Sequence, residues 1–303
     1  MHWEEMVTAT RLQMGGRRAR TRFAPSPTGY LHMGHVVNAI YVWGLARALD
    51  GEVVLRLENH DRTRCKPEFE AALLQDLEWL GLLPDLGKIE EFRSGACDFR
   101  QSDCEAHYVA ALEELRAQGL VYACDCSRTK IVGRTGQADG EELRYDGHCR
   151  NRGLEDGPGR TLRVRLSDES VRFQDILLGE QVQHPFSEVG DVAIRDNHGH
   201  WTYQFAVVVD DIRHDINLIV RGMDILSSTG RQILMRRMLG GRDDLVFLHH
   251  QLLVDAQGRK LSKRDFSADI HTRFLNGESK DSVISEAVGL LGFEFNEIIQ
   301  YLK

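Results

Sequence analysis

No run of apolar residues in this chain approaches the roughly 20 that a helix needs to cross a bilayer. The longest, such as Phe205 to Val209, are far shorter. No membrane helix is written here, and no membrane partner is expected. The N-terminal stretch has no apolar core of the kind a secretion signal carries, and Glu4 and Glu5 do not fit an acid-poor transit peptide. Cysteine is sparse, six residues in 303, which fits a reducing compartment better than a disulfide framework. A cytoplasmic location is therefore expected. An excess of basic charge is also missing. The formal net charge is −8, against a uniformly basic surface for nucleic acid. Internal repeats and low-complexity tracts are absent as well. What is present, 42% hydrophobic and 28% charged residues, is a globular composition that excludes wholesale disorder, collagen and coiled coil. Nine Arg and Lys residues between Arg128 and Arg165 could form a local basic patch for an acidic partner, and they fit a solvated strand-and-loop surface equally well.

Residues 1–20 are polar and Arg-rich and are expected to lie outside the fold, with Met14 an alternative start. Thr21 to Ala24 reads as a strand ending in Pro25-Ser26-Pro27-Thr28-Gly29, whose prolines delay any helix. A helix follows from near His35, then a buried strand over Glu52 to Leu57, making a β-α-β unit. Pro67 opens a helix that Gly81 stops, and Ser102 with Glu105 has the form of a capping box for another that ends at Gly119. From 120 to 190 the pattern turns to short β runs, Thr161 to Leu166 and Val171 to Leu178, separated by glycine- and cysteine-bearing loops. Strands are predicted again at Val192 to Arg195, Tyr203 to Val209, Ile216 to Val220 and Leu245 to Leu248, with a helix over Ser228 to Leu239. The expected fold is α/β, a doubly wound parallel sheet in halves 21–119 and 191–265, split by a subdomain at 120–190 and followed by a short helical region at 266–303.

Between the first strand and helix lies Arg22-Phe23-Ala24-Pro25-Ser26-Pro27-Thr28-Gly29-Tyr30-Leu31-His32-Met33-Gly34-His35. Two histidines spaced i and i+3 at a helix N-terminus suit a triphosphate. Free N–H groups and the helix dipole favour anions, the glycine lets a flat ring lie against backbone, and imidazoles can donate to charge developing on phosphorus. Far downstream, Gly258-Arg259-Lys260-Leu261-Ser262-Lys263-Arg264 puts two lysines on a glycine-flanked loop, able to follow departing phosphates as point charges.

Together the two segments resemble the H-I-G-H and K-M-S-K-S signatures of class I aminoacyl-tRNA synthetases, with Met33 for Ile and Leu261 for Met. Further matches resemble the glutamyl group: Arg22 to Ser26, Arg56 to Glu58, Tyr203 to Asp211 and Val220 to Asp224. The resemblance implies a Rossmann-like core. It also implies that His32, Gly34, His35 and Lys263 meet ATP, that His32, His35, Lys260 and Lys263 are catalytic, and that Arg22, Phe23, Ala24, Pro25, Ser26, Glu58, Tyr203 and Arg221 hold glutamate. The chemistry agrees, because a ligand with two carboxylates and one ammonium calls for guanidinium forks and one acid. Asn59 departs from the family, which usually has Asp there.

Cys124-Asp125-Cys126, followed by Tyr145-Asp146-Gly147-His148-Cys149, offers three thiolates for a tetrahedral structural zinc that would hold a loop-rich insertion. The pattern resembles the zinc site of glutamyl-Q tRNA(Asp) synthetases, in which a tyrosine oxygen is the fourth ligand. This implies Cys124, Cys126, Tyr145 and Cys149, while His148 is the better fourth donor on general chemistry. Cys65, Cys97 and Cys104 have no partners at metal spacing. Only 39 residues follow Arg264 in the sequence, so no helical anticodon-reading domain is expected. The resemblance is thus to the truncated, glutamyl-Q type. It implies ATP with Mg²⁺, L-glutamate and queuosine-containing tRNA(Asp) as substrates, with a monomer expected. Alternatives are a truncated synthetase charging the 3′ end of tRNA(Glu), a small-molecule ligase or nucleotidyltransferase, and a non-catalytic RNA-binding paralogue.

Overall fold

A helix apolar on nearly every face must sit inside the protein, and the stretch after His32 is of that kind. A computed structural model of the chain describes residues 1–60, 64–138, 142–253 and 268–302. In it α1 (Trp3–Met14) leads into β1 (Arg20–Phe23), the central helix α2 (Met33–Ala48) and β2 (Glu52–Leu55), which pairs with β1 in parallel from Arg20↔Glu52 to Phe23↔Leu55. Helix α2 is buried at Val36, Val37, Ile40, Trp43 and Leu45 alike. Then come α3 (Pro67–Leu80), begun by Pro67 and ended at Gly81, α4 (Ile89–Ser94) and α5 (Glu105–Ala117).

Strand β3 (Val121–Cys124), α6 (Arg128–Thr135) and β4 (Thr161–Val164) lead to β5 (Val171–Asp175), β6 (Gly179–Gln183), α7 (Pro185–Val189) and β7 (Val192–Arg195). Next are α8 (Tyr203–Arg213), β8 (Leu218–Gly222), α9 (Thr229–Met238), β9 (Val246–His250), α10 (Ile270–Leu275), α11 (Lys280–Leu290) and α12 (Phe295–Ile298). No helix among the described residues is long and apolar enough to cross a membrane.

The sheets are mixed, not wholly parallel as expected. Strands β8, β9 and β5 run parallel, but β6 is antiparallel to β5, and β3-β4-β7 form a separate antiparallel sheet. The expected 120–190 segment therefore supplies strands to two sheets. Asn217 closes the seam between β1 and β8: its N–H donates to the Arg20 carbonyl (3.1 Å) and its Oδ1 accepts from the Arg20 N–H (2.8 Å). The carboxyl ends of β1, β2, β8 and β9 and the N-terminus of α2 thereby open toward one place, where α/β sheets bind ligands.

Three local expectations change. Tyr203 to Val209 is helix, not strand. The three valines favour extended backbone only weakly, and burial of the α8 face from Phe205 to Asp211 overrides them. Ser102 does not cap a helix. Its N–H donates to Asn59 Oδ1 at 2.8 Å, it sits in a 3₁₀ turn, and α5 starts three residues later. Residues 1–20 are not peripheral: Trp3, Met6 and Met14 belong to the main core. A Cβ on Gly44 of α2 would come within 2.6 Å of the Trp3 ring, so the missing side chain is what lets α1 dock. The Trp3 ring also meets Phe293 edge-on at 5.7 Å, tying both ends of the chain to α2.

Candidate active site

His32 ends the proline turn as the N-cap of α2, its Nδ1 accepting from the Gly34 N–H at 3.1 Å. His35 Nδ1 accepts in turn from the His32 N–H at 3.1 Å, and the rings stand 4.0 Å apart. Because both Nδ1 atoms accept, the proton of each neutral ring is on Nε2. Gly34 has a definite role here. A Cβ there would fall 2.9 Å from His32 Cε1, so the flat ring that the glycine admits against backbone is the His32 imidazole.

A cavity of about 360 Å³ opens beside this turn, and Arg22, Phe23, Ala24, Pro25, Ser26, His32, His35, Glu58, Tyr203 and Arg221 all line it. Every described side chain expected to meet ATP or glutamate is thus brought to one place. Gly34 lies just behind, in the His32 turn. Lys260 and Lys263 lie outside the described residues.

The charges around the cavity are unequally matched. Arg56 is fully buried, with Nη1 on Asp211 Oδ1 at 2.7 Å, Nη2 on Glu58 Oε1 at 2.9 Å and Nε 3.9 Å from Asp210. Arg22 shares Asp211 at 3.1 Å. Burial alone would push Asp211 up, but Arg22 and Arg56 overcome it and hold the carboxyl at about 2. Arg221 differs. Also buried, it donates to three neutral acceptors, His249 Nε2 (3.0 Å), Gln232 Oε1 (2.7 Å) and Thr229 Oγ1 (2.9 Å). Among the described residues no carboxylate pairs with it. Burial pushes its pKa down from the usual guanidinium value, as expected of a cation that lacks a counter-ion. A buried, cavity-facing guanidinium of this kind is built to receive an anion.

A second cluster lies in the cysteine-bearing segment. The sulfurs of Cys124, Cys126 and Cys149 all lie within 4.8 Å of one another. Cys126 and Cys149 are 3.6 Å apart. That is too long for a disulfide of about 2.05 Å and close to the roughly 3.8 Å edge of a tetrahedron with 2.3 Å zinc–sulfur arms. The Tyr145 hydroxyl is 3.3 Å from Cys124 Sγ, whereas exposed His148 is not among the clustered donors. Burial would raise Cys124, but hydrogen bonds from Tyr145 and Arg163 hold its thiol below the usual value. Arg134 and Arg152 reach Cys126 and Cys149 at 3.2 and 3.3 Å. Three sulfurs with cationic neighbours fit a thiolate–zinc centre.

A model of the catalytic domain of class I tRNA synthetases (E and Q) matches residues 18–302. The chain belongs to this family. A glutamate–tRNA ligase of Frankia casuarinae is 38% identical over 251 residues, 83% of this chain and 51% of the ligase. A glutamyl-Q tRNA(Asp) synthetase of Thiobacillus denitrificans is 38% identical over 271 residues, 89% of this chain and 84% of that protein. The crystal structure of a glutamate tRNA ligase from Elizabethkingia meningosepticum in complex with its amino acid superposes with a TM-score of 0.69 at 28% identity, over 82% of this chain and 52% of that one. The chain thus spans about half the length of the glutamate–tRNA ligases it matches.

Within this synthetase domain, motif reasoning assigned no role to several residues that shape the site. Asp210 and Asp211 follow Tyr203 by seven and eight residues, a helical spacing that reading α8 as a strand conceals. His249, Gln232 and Thr229 carry no motif signal at all. Asn59 has a local reason: its Nδ2 donates to Ser102 Oγ at 3.0 Å while its Oδ1 accepts from Ser102 N–H, a double role that a carboxylate cannot fill.

Proposed function

We propose that this chain activates L-glutamate with ATP and Mg²⁺ to glutamyl-adenylate and transfers the glutamyl group to queuosine at the wobble position of tRNA(Asp). The observation that carries the first half is Arg221, a buried cation with no carboxylate partner among the described residues, in a cavity that also holds Glu58 and Tyr203. An amino acid bearing two carboxylates and an ammonium complements that charge pattern. The second half is supported by relatives named for this reaction and matched over most of their own length.

The glutamate α-carboxylate attacks the α-phosphorus in line, forming the acyl–phosphate bond as the bond to pyrophosphate breaks. A ring hydroxyl of queuosine then takes the acyl group and AMP leaves. The Nε2–H groups of His32 and His35 would donate to the phosphoryl oxygens as charge grows, while Lys260 and Lys263 are assigned to the leaving pyrophosphate. Magnesium, bound with the nucleotide, would neutralise phosphate charge. Positioning and electrostatics are the main contributions of the protein in such transfers. His35→Ala is expected to slow glutamate-dependent ATP–pyrophosphate exchange by about a hundredfold, as for loss of one preorganised donor; an unchanged rate removes His35 from the chemistry.

The deciding experiment is ATP–pyrophosphate exchange with glutamate, glutamine and aspartate, each with and without tRNA, followed by nuclease mapping of labelled glutamate. Exchange with glutamate alone and label at the wobble nucleoside support the proposal. Dependence on tRNA, with label at the 3′ end, assigns the chain to charging tRNA(Glu).

The cysteine-bearing part of segment 120–190 is proposed as an acceptor-type insertion held by one zinc on Cys124, Cys126, Tyr145 and Cys149. Purified protein is expected to carry a single zinc. Cys126→Ser should lose it and lower the Tm, and Tyr145→Phe should weaken retention against a chelator while His148→Ala does not. Zinc loss on His148→Ala alone would exchange the fourth ligand.

A further inference from the structure

Arg221 can serve a ligand only if its fork is aimed, and the side chain that aims it is buried beyond the cavity wall. His249, on β9 directly opposite Arg221 of β8 in the parallel register, is entirely inaccessible to solvent, as is Asp175 at the end of β5. Asp175 Oδ2 lies 2.7 Å from His249 Nδ1 and also accepts the His249 backbone N–H at 3.1 Å. Its other oxygen accepts the N–H groups of Leu177 and Leu178 at 2.9 and 3.0 Å. Both oxygens of Asp175 thus serve as acceptors of N–H groups. The proton between Asp175 and His249 is therefore on Nδ1, and Nε2 of the neutral ring is left as an acceptor. Arg221 Nε–H donates to that atom at 3.0 Å, and the Thr229 hydroxyl, 3.2 Å away, can do the same.

We infer that Asp175 and His249 are positioning residues that hold Arg221 as the carboxylate receptor: the Asp175 carboxylate selects the Nδ1–H tautomer of His249, and the Nε2 acceptor so created pins the Arg221 guanidinium toward the cavity. A neutral imidazole is the right partner for this task. An acid in its place would neutralise Arg221 and compete with the ligand, as Asp211 does for Arg22, whereas the imidazole orients the fork and leaves its charge for the substrate. The guanidinium is planar by delocalisation, so a hydrogen bond that holds Nε–H also fixes the plane in which both terminal nitrogens lie. The chain of contacts runs across three neighbouring strands, β5, β9 and β8, so the sheet itself sets the spacing. It joins the turn after β5 to the cavity through two side chains, Asp175 and His249, that are wholly inaccessible to solvent. This inference rests on the assignment of glutamate as the ligand.

The test uses the full chain in glutamate-dependent ATP–pyrophosphate exchange, with Tm measured alongside. His249→Phe keeps the ring and removes the acceptor. It should raise the KM for glutamate by about ten- to a hundredfold, the effect of losing a hydrogen bond to a charged group, with the KM for ATP within about threefold of wild type. His249→Gln, whose amide oxygen can replace Nε2, should recover most of that loss. Asp175→Asn should act like His249→Phe, because an amide facing Nδ1 favours the opposite tautomer. An unchanged glutamate KM in folded His249→Phe, or equal rises for glutamate and ATP, overturns the inference while leaving the glutamate assignment intact. If the wild-type chain shows no exchange with glutamate, the assignment itself has failed. In that event, and equally if the variants do not fold, the ¹⁵N shifts of His249 in the wild-type protein decide. An unprotonated Nε2 and protonated Nδ1 support the positioning chain, and a protonated Nε2 overturns it.

Discussion

Replacing Arg221 by leucine should lower kcat/KM for glutamate in pyrophosphate exchange by about a thousandfold, roughly 4 kcal/mol of lost transition-state stabilisation, with the KM for ATP little changed. The reason is the charge arrangement: Arg22 and Arg56 already have Asp211, and Arg56 also has Glu58. Arg221 alone of the three pairs with no carboxylate among the described residues, so a substrate carboxylate loses its main counter-ion in the variant. Stability should respond in a different way. Removing a buried cation without a counter-ion relieves a desolvation cost that offsets the three lost hydrogen bonds. The Tm should therefore stay within about 3 °C of wild type. Glutamate should raise the Tm of the wild-type protein by mass action and leave that of the variant unmoved. Exchange near the wild-type rate would place the substrate carboxylates elsewhere.

Arg56→Met should have the opposite profile, a large loss of stability. The substitution leaves Asp210, Asp211 and Glu58 buried around an apolar side chain, and breaking a buried ion pair from one side costs about 3–5 kcal/mol. For a chain of this size the Tm should fall by about 10 °C. The pH dependence provides a second check. In the wild-type protein Asp211 is held at about 2, below its ordinary 3.8. Its stabilisation is therefore fully present above that ordinary value and is lost as pH falls toward 2. Without Arg56 the Asp211 carboxyl loses part of what holds it low, so the folded variant loses less than the wild-type protein as pH falls. The Tm difference between the two proteins should shrink as pH drops from neutral toward about 4. A constant difference would mean that Arg56 contributes through packing and not through charge.

Much of the site was legible in the order of residues because local chemistry had to be written locally. The proline turn, the paired histidines at i and i+3, and Gly34 beneath His32 are neighbours in the chain, and their spacing alone places two imidazoles at a helix start. The same holds for the C-x-C pair and for Pro67 at the head of α3. The failures also have a common source. The run from Tyr203 to Asp211 reads as a strand from its valines, and only the packing of α8 makes it helical and turns the two aspartates inward. Trp3 looks like part of a polar N-terminal extension until Gly44, forty-one positions later, provides the space that receives its ring.

The amino-acid sequence by itself determined which groups are available: two imidazoles, three sulfurs, three arginines and three acids. Tertiary structure alone decided which arginine would have no carboxylate partner among the described residues. Arg22, Arg56 and Arg221 are indistinguishable as residues, and each belongs to a short recognisable string. Whether a guanidinium meets Asp211 or His249 depends on the order of β1, β8, β9 and β5 across the sheet. Strand order arises from long-range pairing that brings together residues as distant in the chain as Asp175 and His249, and no local pattern carries that information.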